Sequence, residues 1–129
     1  MLEQLTPRVF YLPFSKTEGS PSLGYIRGDR FSLMVDAGTC PAHVREYQNA
    51  VTAAGFRPPD FVALTHSHWD HCFGLGALTI PSIACIQTRQ SLELVSTLSW
   101  TSDGIQESIR RGILPRSCAP VIQEHFPDP

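Results

Sequence analysis

Three histidines and one aspartate, His66, His68, Asp70 and His71, fall within six consecutive residues of this chain. They follow a short apolar run, Phe61 to Leu64. Imidazole nitrogen and carboxylate oxygen are the ligands that zinc and iron take in catalytic sites. A fold built around such a run has to hold four polar side chains on one loop and anchor that loop to something rigid. Alternation along an extended segment puts His66 and His68 on one side, with Ser67 turned away. Both rings can then reach one ion. Asp70 and His71, a turn further on, can face a second position. Two metals about 3.5–4 Å apart lower the pKa of bound water and polarise a carbonyl or phosphoryl oxygen.

The chain around the cluster reads as alternating strands and helices. Val9 to Leu12, Leu23 to Arg27 and Phe31 to Val35 have strand composition, with Gly28-Asp29 as a hairpin signal between the last two. The segment Glu18 to Ser22 reads as a turn. Pro41 suits the first turn of a helix, and Val44, Tyr47, Val51 and Ala54 recur at helical spacing. Gly55 is placed to close that helix in the left-handed conformation, with Phe56 folding back on it. Phe61 to Leu64 and Ser82 to Ile86 read as two further strands. Leu92, Val95 and Leu98 share a helical face. Ser102 is read as the cap of a helix that carries Ile105 and Ile109 and ends at Gly112, and Ser117 as the cap of another with Val121, Ile122 and Phe126. This order predicts an α/β sheet with helices on at least one face. It also puts the histidine cluster at the carboxyl end of a strand, where such sheets hold their ligands.

The remaining polar residues are read more plainly. His43 and His125 are isolated and expected to be structural. Asp36 ends a strand, and a buried carboxylate needs hydrogen-bond partners, so its role is expected to be hydrogen bonding. Trp69 and Phe73 either line a pocket or pack in the core. Cys40, Cys72, Cys85 and Cys118 match no CxxC motif and no disulfide framework, so they are expected to be free thiols in the cytoplasm. Cys72 adjoins the cluster. A net charge of −2 with no basic run points away from nucleic acid and anionic membrane. No apolar run is long enough to span a bilayer. Met1 to Phe14 lacks a basic start followed by an apolar stretch, so no signal peptide is expected.

His66, His68, Asp70 and His71 together spell H-x-H-x-D-H after a short strand, and Asp36-Ala37-Gly38 spells Asp-x-Gly after another. In both respects, and in Leu23-Gly24-Tyr25-Ile26, the chain resembles the metallo-β-lactamase superfamily. The resemblance is close over about residues 5 to 90. It implies an αβ/βα sandwich of two similar halves, with the site at the edge between them. It implies a metal-dependent hydrolase using zinc, one or two ions, with iron or manganese as alternatives. His66 and His68 would bind the first metal, and Asp70 and His71 the second. Asp70 would also orient or deprotonate the attacking water.

In the family, a second half adds a histidine, a bridging aspartate and a final histidine. No residue after His71 has a matching setting here, and His125 lacks the glycine-rich surroundings. The expectation is therefore one domain over residues 1–129, the N-terminal half of that fold. It is a mixed sheet covered by helices, with an apolar face left for a partner. That partner would be a second copy of the chain in a homodimer or the missing C-terminal half. The substrate is expected to be a small molecule of undefined class. The other readings are a non-catalytic metal-binding or association module, and an iron-dependent redox relative.

Overall fold

The computed structural model describes residues 1–17 and 19–116. By backbone proximity the chain divides into two compact units, Met1–Thr88 and Arg89–Pro129. The first holds a sheet of six strands in the order β1-β2-β3-β4-β5-β6, which is also their order in sequence. These are β1 (Glu3–Gln4), β2 (Val9–Leu12), β3 (Leu23–Arg27), β4 (Ser32–Val35), β5 (Phe61–Ala63) and β6 (Ser82–Ile83). The first four pair antiparallel, and β4, β5 and β6 run parallel. The sheet is thus mixed, as the sequence implied. A parallel step needs a crossover, and helix α1 (Pro41–Ala53) supplies the one from β4 to β5.

Strand alternation sorts the two faces. Phe10, Leu12, Leu23, Tyr25, Met34 and Val62 are buried, and so are Val44, Tyr47, Ala50 and Val51 of α1. The Tyr47 hydroxyl donates to the Gly24 carbonyl at 3.0 Å, which ties the helix to β3. The helix has Pro41 in its first turn and no side-chain cap at Cys40. A cap contributes about 1 kcal/mol. Full burial of one Val or Leu contributes about 1.5–3 kcal/mol. The apolar face therefore holds α1 in place. Gly55 follows it at φ 74°, and the Phe56 N–H donates to the Val51 carbonyl at 3.1 Å. The Phe56 ring then stacks on Tyr25, with centroids 5.3 Å apart. Ala54 is exposed and lies outside the packed face.

Several expectations shift at element boundaries. Phe31 precedes β4 and is 59% exposed, because the hairpin turn is closed by Gly28 N–H donating to its carbonyl at 2.9 Å. The strand expected over Ser82 to Ile86 stops at Ile83, and a helix, α3 (Ile86–Ser96), begins three residues later. A short apolar run carries no period that separates strand from buried helix. Asp70 and His71 of the cluster lie in a helical turn, α2 (Trp69–Cys72), and a tighter 3₁₀ turn (Phe73–Ala77) follows it before β6.

The second unit contains α4 (Ser102–Arg110). Its cap is Thr101, whose hydroxyl accepts from the Gly104 N–H at 3.1 Å, so Ser102 is the first residue of the helix and not the cap. Either hydroxyl could cap. Thr101 has the extended backbone (φ −71°, ψ 160°) that the cap position requires. Ile105 is buried, and Gly112 follows the helix at φ 72°. The helix expected from Ser117, with Val121, Ile122 and Phe126, lies outside the described residues, as do His125, Cys118 and Glu18.

Candidate metal centre

Two loops make the site. One follows β4 and carries Asp36; the other follows β5 and carries Thr65 to His71. They are joined by main-chain hydrogen bonds. Asp36 N–H donates to Ala63 O at 2.8 Å, Ala37 N–H to His71 O at 2.8 Å, and Gly74 N–H to Gly38 O at 3.0 Å. A Cβ on Gly74 would stand 1.9 Å from the Ala37 carbonyl oxygen, so only glycine permits this approach. Cys72 is buried and its thiol donates to the His66 carbonyl at 3.1 Å. Burial, with the nearby charges of Asp36 and Asp70, pushes that thiol from 9.0 up to about 12, so it stays protonated at neutral pH.

Within this frame the histidine rings converge. Ring centroids of His66 and His68 are 4.6 Å apart, and those of His66 and His71 are 4.2 Å apart. His71 Nε2 lies 3.7 Å from Asp70 Oδ2. Two ligands of a tetrahedral ion at about 2.0–2.2 Å would be separated by roughly 3.5 Å, so this pair fits one ion with little adjustment. Among the described residues, Asp36, His66 and His71 also offer ligand atoms all within 4.8 Å of one another. His68 is exposed and Asp70 is partly so, which leaves that side of the site open to solvent.

Asp36 is buried beneath these rings. Its carboxylate accepts from Thr65 N–H at 2.8 Å and from the Thr65 hydroxyl, 2.8 and 3.0 Å from its two oxygens. His71 Nδ1 sits 2.9 Å from Asp36 Oδ2. This is the hydrogen-bonding role expected of a carboxylate at the end of a buried strand. The contribution of Thr65 is new. Its hydroxyl also lies 2.7 Å from His66 Nδ1. A hydroxyl next to the first histidine was the available signal, and the sequence offered no way to know what it faced. His43 is buried in α1, where its Nδ1 accepts from Thr39 N–H at 3.3 Å. Trp69 and Phe73 pack edge to face, centroids 6.4 Å apart.

A family model described as metallo-beta-lactamase superfamily matches residues 17–108. A comparison with curated proteins returns no match. Among solved structures, the chain is similar to a motif mutant of a metallo-beta-lactamase from Cronobacter sakazakii. The TM-score is 0.59 at 20% identity, over 71% of this chain and 37% of that one. It is similar as well to the metallo-beta-lactamase FIM-1 from Pseudomonas aeruginosa in its mono-zinc form. There the TM-score is 0.59 at 17% identity, over 73% of this chain and 45% of that one. The chain therefore spans less than half the length of either. At these identities the likeness is one of fold: the sheet and its helices match part of the metallo-beta-lactamase architecture.

Proposed function

This chain belongs to the metallo-β-lactamase superfamily, and from that premise we propose that it carries the water-activating metal site of a metal-dependent hydrolase. The observation that carries this reading is the loop after β5, where His66, His68, Asp70 and His71 stand together, with Asp70 Oδ2 and His71 Nε2 3.7 Å apart. His66 and His68 would hold one ion, and Asp70 and His71 a second. Zinc is the favoured ion, since nitrogen and carboxylate donors suit it and one similar structure is a mono-zinc form; iron and manganese suit the same donors. Such an ion lowers the pKa of water and polarises the bond to be cleaved. Asp70 would orient the attacking water or take its proton. Three free thiols, Cys40, Cys72 and Cys85, support a reducing, cytoplasmic setting. Among the described residues no helix is long and apolar enough to cross a membrane.

The test is to purify the chain, count bound metal, and assay hydrolysis of an ester, a lactam and a phosphodiester with and without added zinc. Bound metal with turnover that disappears in Asp70→Asn supports the reading. A chain that takes up no metal and turns over none of these substrates sinks it as an autonomous enzyme.

The second reading, an association module, is favoured by the face of the sheet opposite α1. Val9, Ile26, Leu33 and Phe61 are paired across β2 to β5 and form one apolar row; Val35, Ala63 and Ile83 continue a second row to β6. All stay partly exposed, Ile83 to 53%. Apolar rows of this extent mark an association surface. The proposed partner is a second copy of the chain or the second half of the fold. A light-scattering mass equal to one chain, unchanged with concentration, counts against self-association.

A further inference from the structure

Asp36 is the only non-glycine residue at positive φ among the described residues, at 61°. Asparagine and aspartate visit this region more readily than other residues, and a strained position inside a buried loop asks for a reason. The reason here is where the carboxylate goes. A carboxylate only accepts hydrogen bonds, and a hydroxyl has one proton to give. His71 Nδ1, 2.9 Å from Asp36 Oδ2, must therefore carry a proton. The Thr65 hydroxyl gives its proton to the same carboxylate at 2.8 Å. It can then only accept from His66, whose Nδ1 lies 2.7 Å away and must also carry a proton. A neutral imidazole has a single N–H, so Nε2 of both rings is left with its lone pair.

We propose that Asp36 is the positioning residue of this site. Its carboxylate fixes the Nδ1–H tautomer of His71 directly and of His66 through the Thr65 hydroxyl, leaving both Nε2 atoms to ligate. The proposal rests on the metal-site reading above, and it is a statement about the metal-free chain. Free histidine favours the opposite, Nε2–H, tautomer, so the anchor leaves a spectroscopic mark that simple packing would not. Partners of this kind orient ligating histidines, and their loss weakens metal binding roughly 10–100-fold. Asp36→Asn is the informative variant. Asparagine tolerates the left-handed backbone. Its amide keeps one acceptor for Thr65 N–H and turns a donor toward His71.

The experiment is long-range ¹H–¹⁵N correlation NMR of the imidazole nitrogens, on metal-free protein near pH 8. In the wild type, His66 and His71 are expected as Nδ1–H tautomers. Asp36→Asn should switch His71 to Nε2–H. Thr65→Val should release His66 while His71 keeps its tautomer, and Thr65→Ser should restore His66. Zinc titration should show the roughly 10–100-fold loss in Asp36→Asn and Thr65→Val but not in Thr65→Ser. A wild-type spectrum with Nε2–H at either histidine overturns the anchor. So does an unchanged His66 in Thr65→Val. If Asp36→Asn fails to fold, the wild type and the two Thr65 variants still decide. A wild-type chain that binds no zinc overturns the metal-site reading instead, while the tautomers judge the anchor independently.

Discussion

Two thiols of this chain sit in opposite settings. Cys72 is buried beneath the histidine loop, and its proton is held by burial and by the carboxylates of Asp36 and Asp70. Cys85 is exposed at the start of α3, and its sulfur lies 3.3 Å from the Thr88 hydroxyl. Hydrogen bonds from the Thr88 side chain and backbone lower its pKa below the usual 9.0. The thiolate is the nucleophile. Iodoacetamide at neutral pH is therefore expected to label Cys85 ahead of Cys72, read by peptide mass spectrometry over time. Cys72 should become reactive only in denaturant. Labelling of Cys72 at the rate of Cys85 in the native chain would show that the loop is not packed as described. Sequence marked both as free thiols but could not rank them, because exposure and partners are properties of the fold. Cys72 adjoins the cluster in space as in sequence: its thiol donates to the His66 carbonyl at 3.1 Å.

At the scale of elements, the site depends on two loops pressed together, and Gly74 is the point of closest approach. A side chain there meets both the Ala37 carbonyl at 1.9 Å and Val44 of α1 at 2.6 Å. Backbone on one side and a core helix on the other leave no room to yield. Overpacking of this kind costs typically about 1–3 kcal/mol. Gly74→Ala is expected to lower the urea midpoint accordingly and to weaken zinc uptake, since the Ala37–His71 backbone bond lies in the same seam. An unchanged midpoint would contradict the close approach. A core change away from the seam, Met34→Ala, should cost about 2–5 kcal/mol yet leave the zinc stoichiometry of the folded fraction intact. The helix α1 was legible because Pro41, the Val44–Tyr47–Val51 spacing and Gly55 agree with one another. The β6–α3 boundary was not, because the run from Ser82 to Ile86 is too short to show a period. The cap of α4 fell one residue early, at Thr101, because neighbouring hydroxyls are equivalent until the backbone chooses between them.

At the scale of the whole molecule, two buried acids set an alkaline limit. Burial raises the Cys72 thiol from 9.0 to about 12 and raises the Tyr47 phenol above its usual 10.0. Above pH 9 the unfolded chain releases protons that the folded chain retains. The unfolded state then binds fewer protons, so stability falls as pH rises. The contribution is fully present below the unfolded pKa and is lost on the way up to the folded one. Urea midpoints measured near pH 8 and near pH 10.5 should differ, with a smaller difference in Cys72→Ala. Equal midpoints would contradict the burial of both groups.

The sequence by itself determined the family, the α/β class and the loop proposed to bear the chemistry. These follow from local patterns: a strand's composition, a helix's period, and four imidazole and carboxylate side chains in one short run. Only the tertiary structure decided how that loop is held. Asp36 and Thr65 are 29 residues apart, and their hydrogen bonds exist because β4 and β5 pair in parallel and end side by side. A one-dimensional pattern records which donors and acceptors are present. Which of them meet, and so which nitrogen of each histidine is left for an ion, is fixed only when the strands are in register.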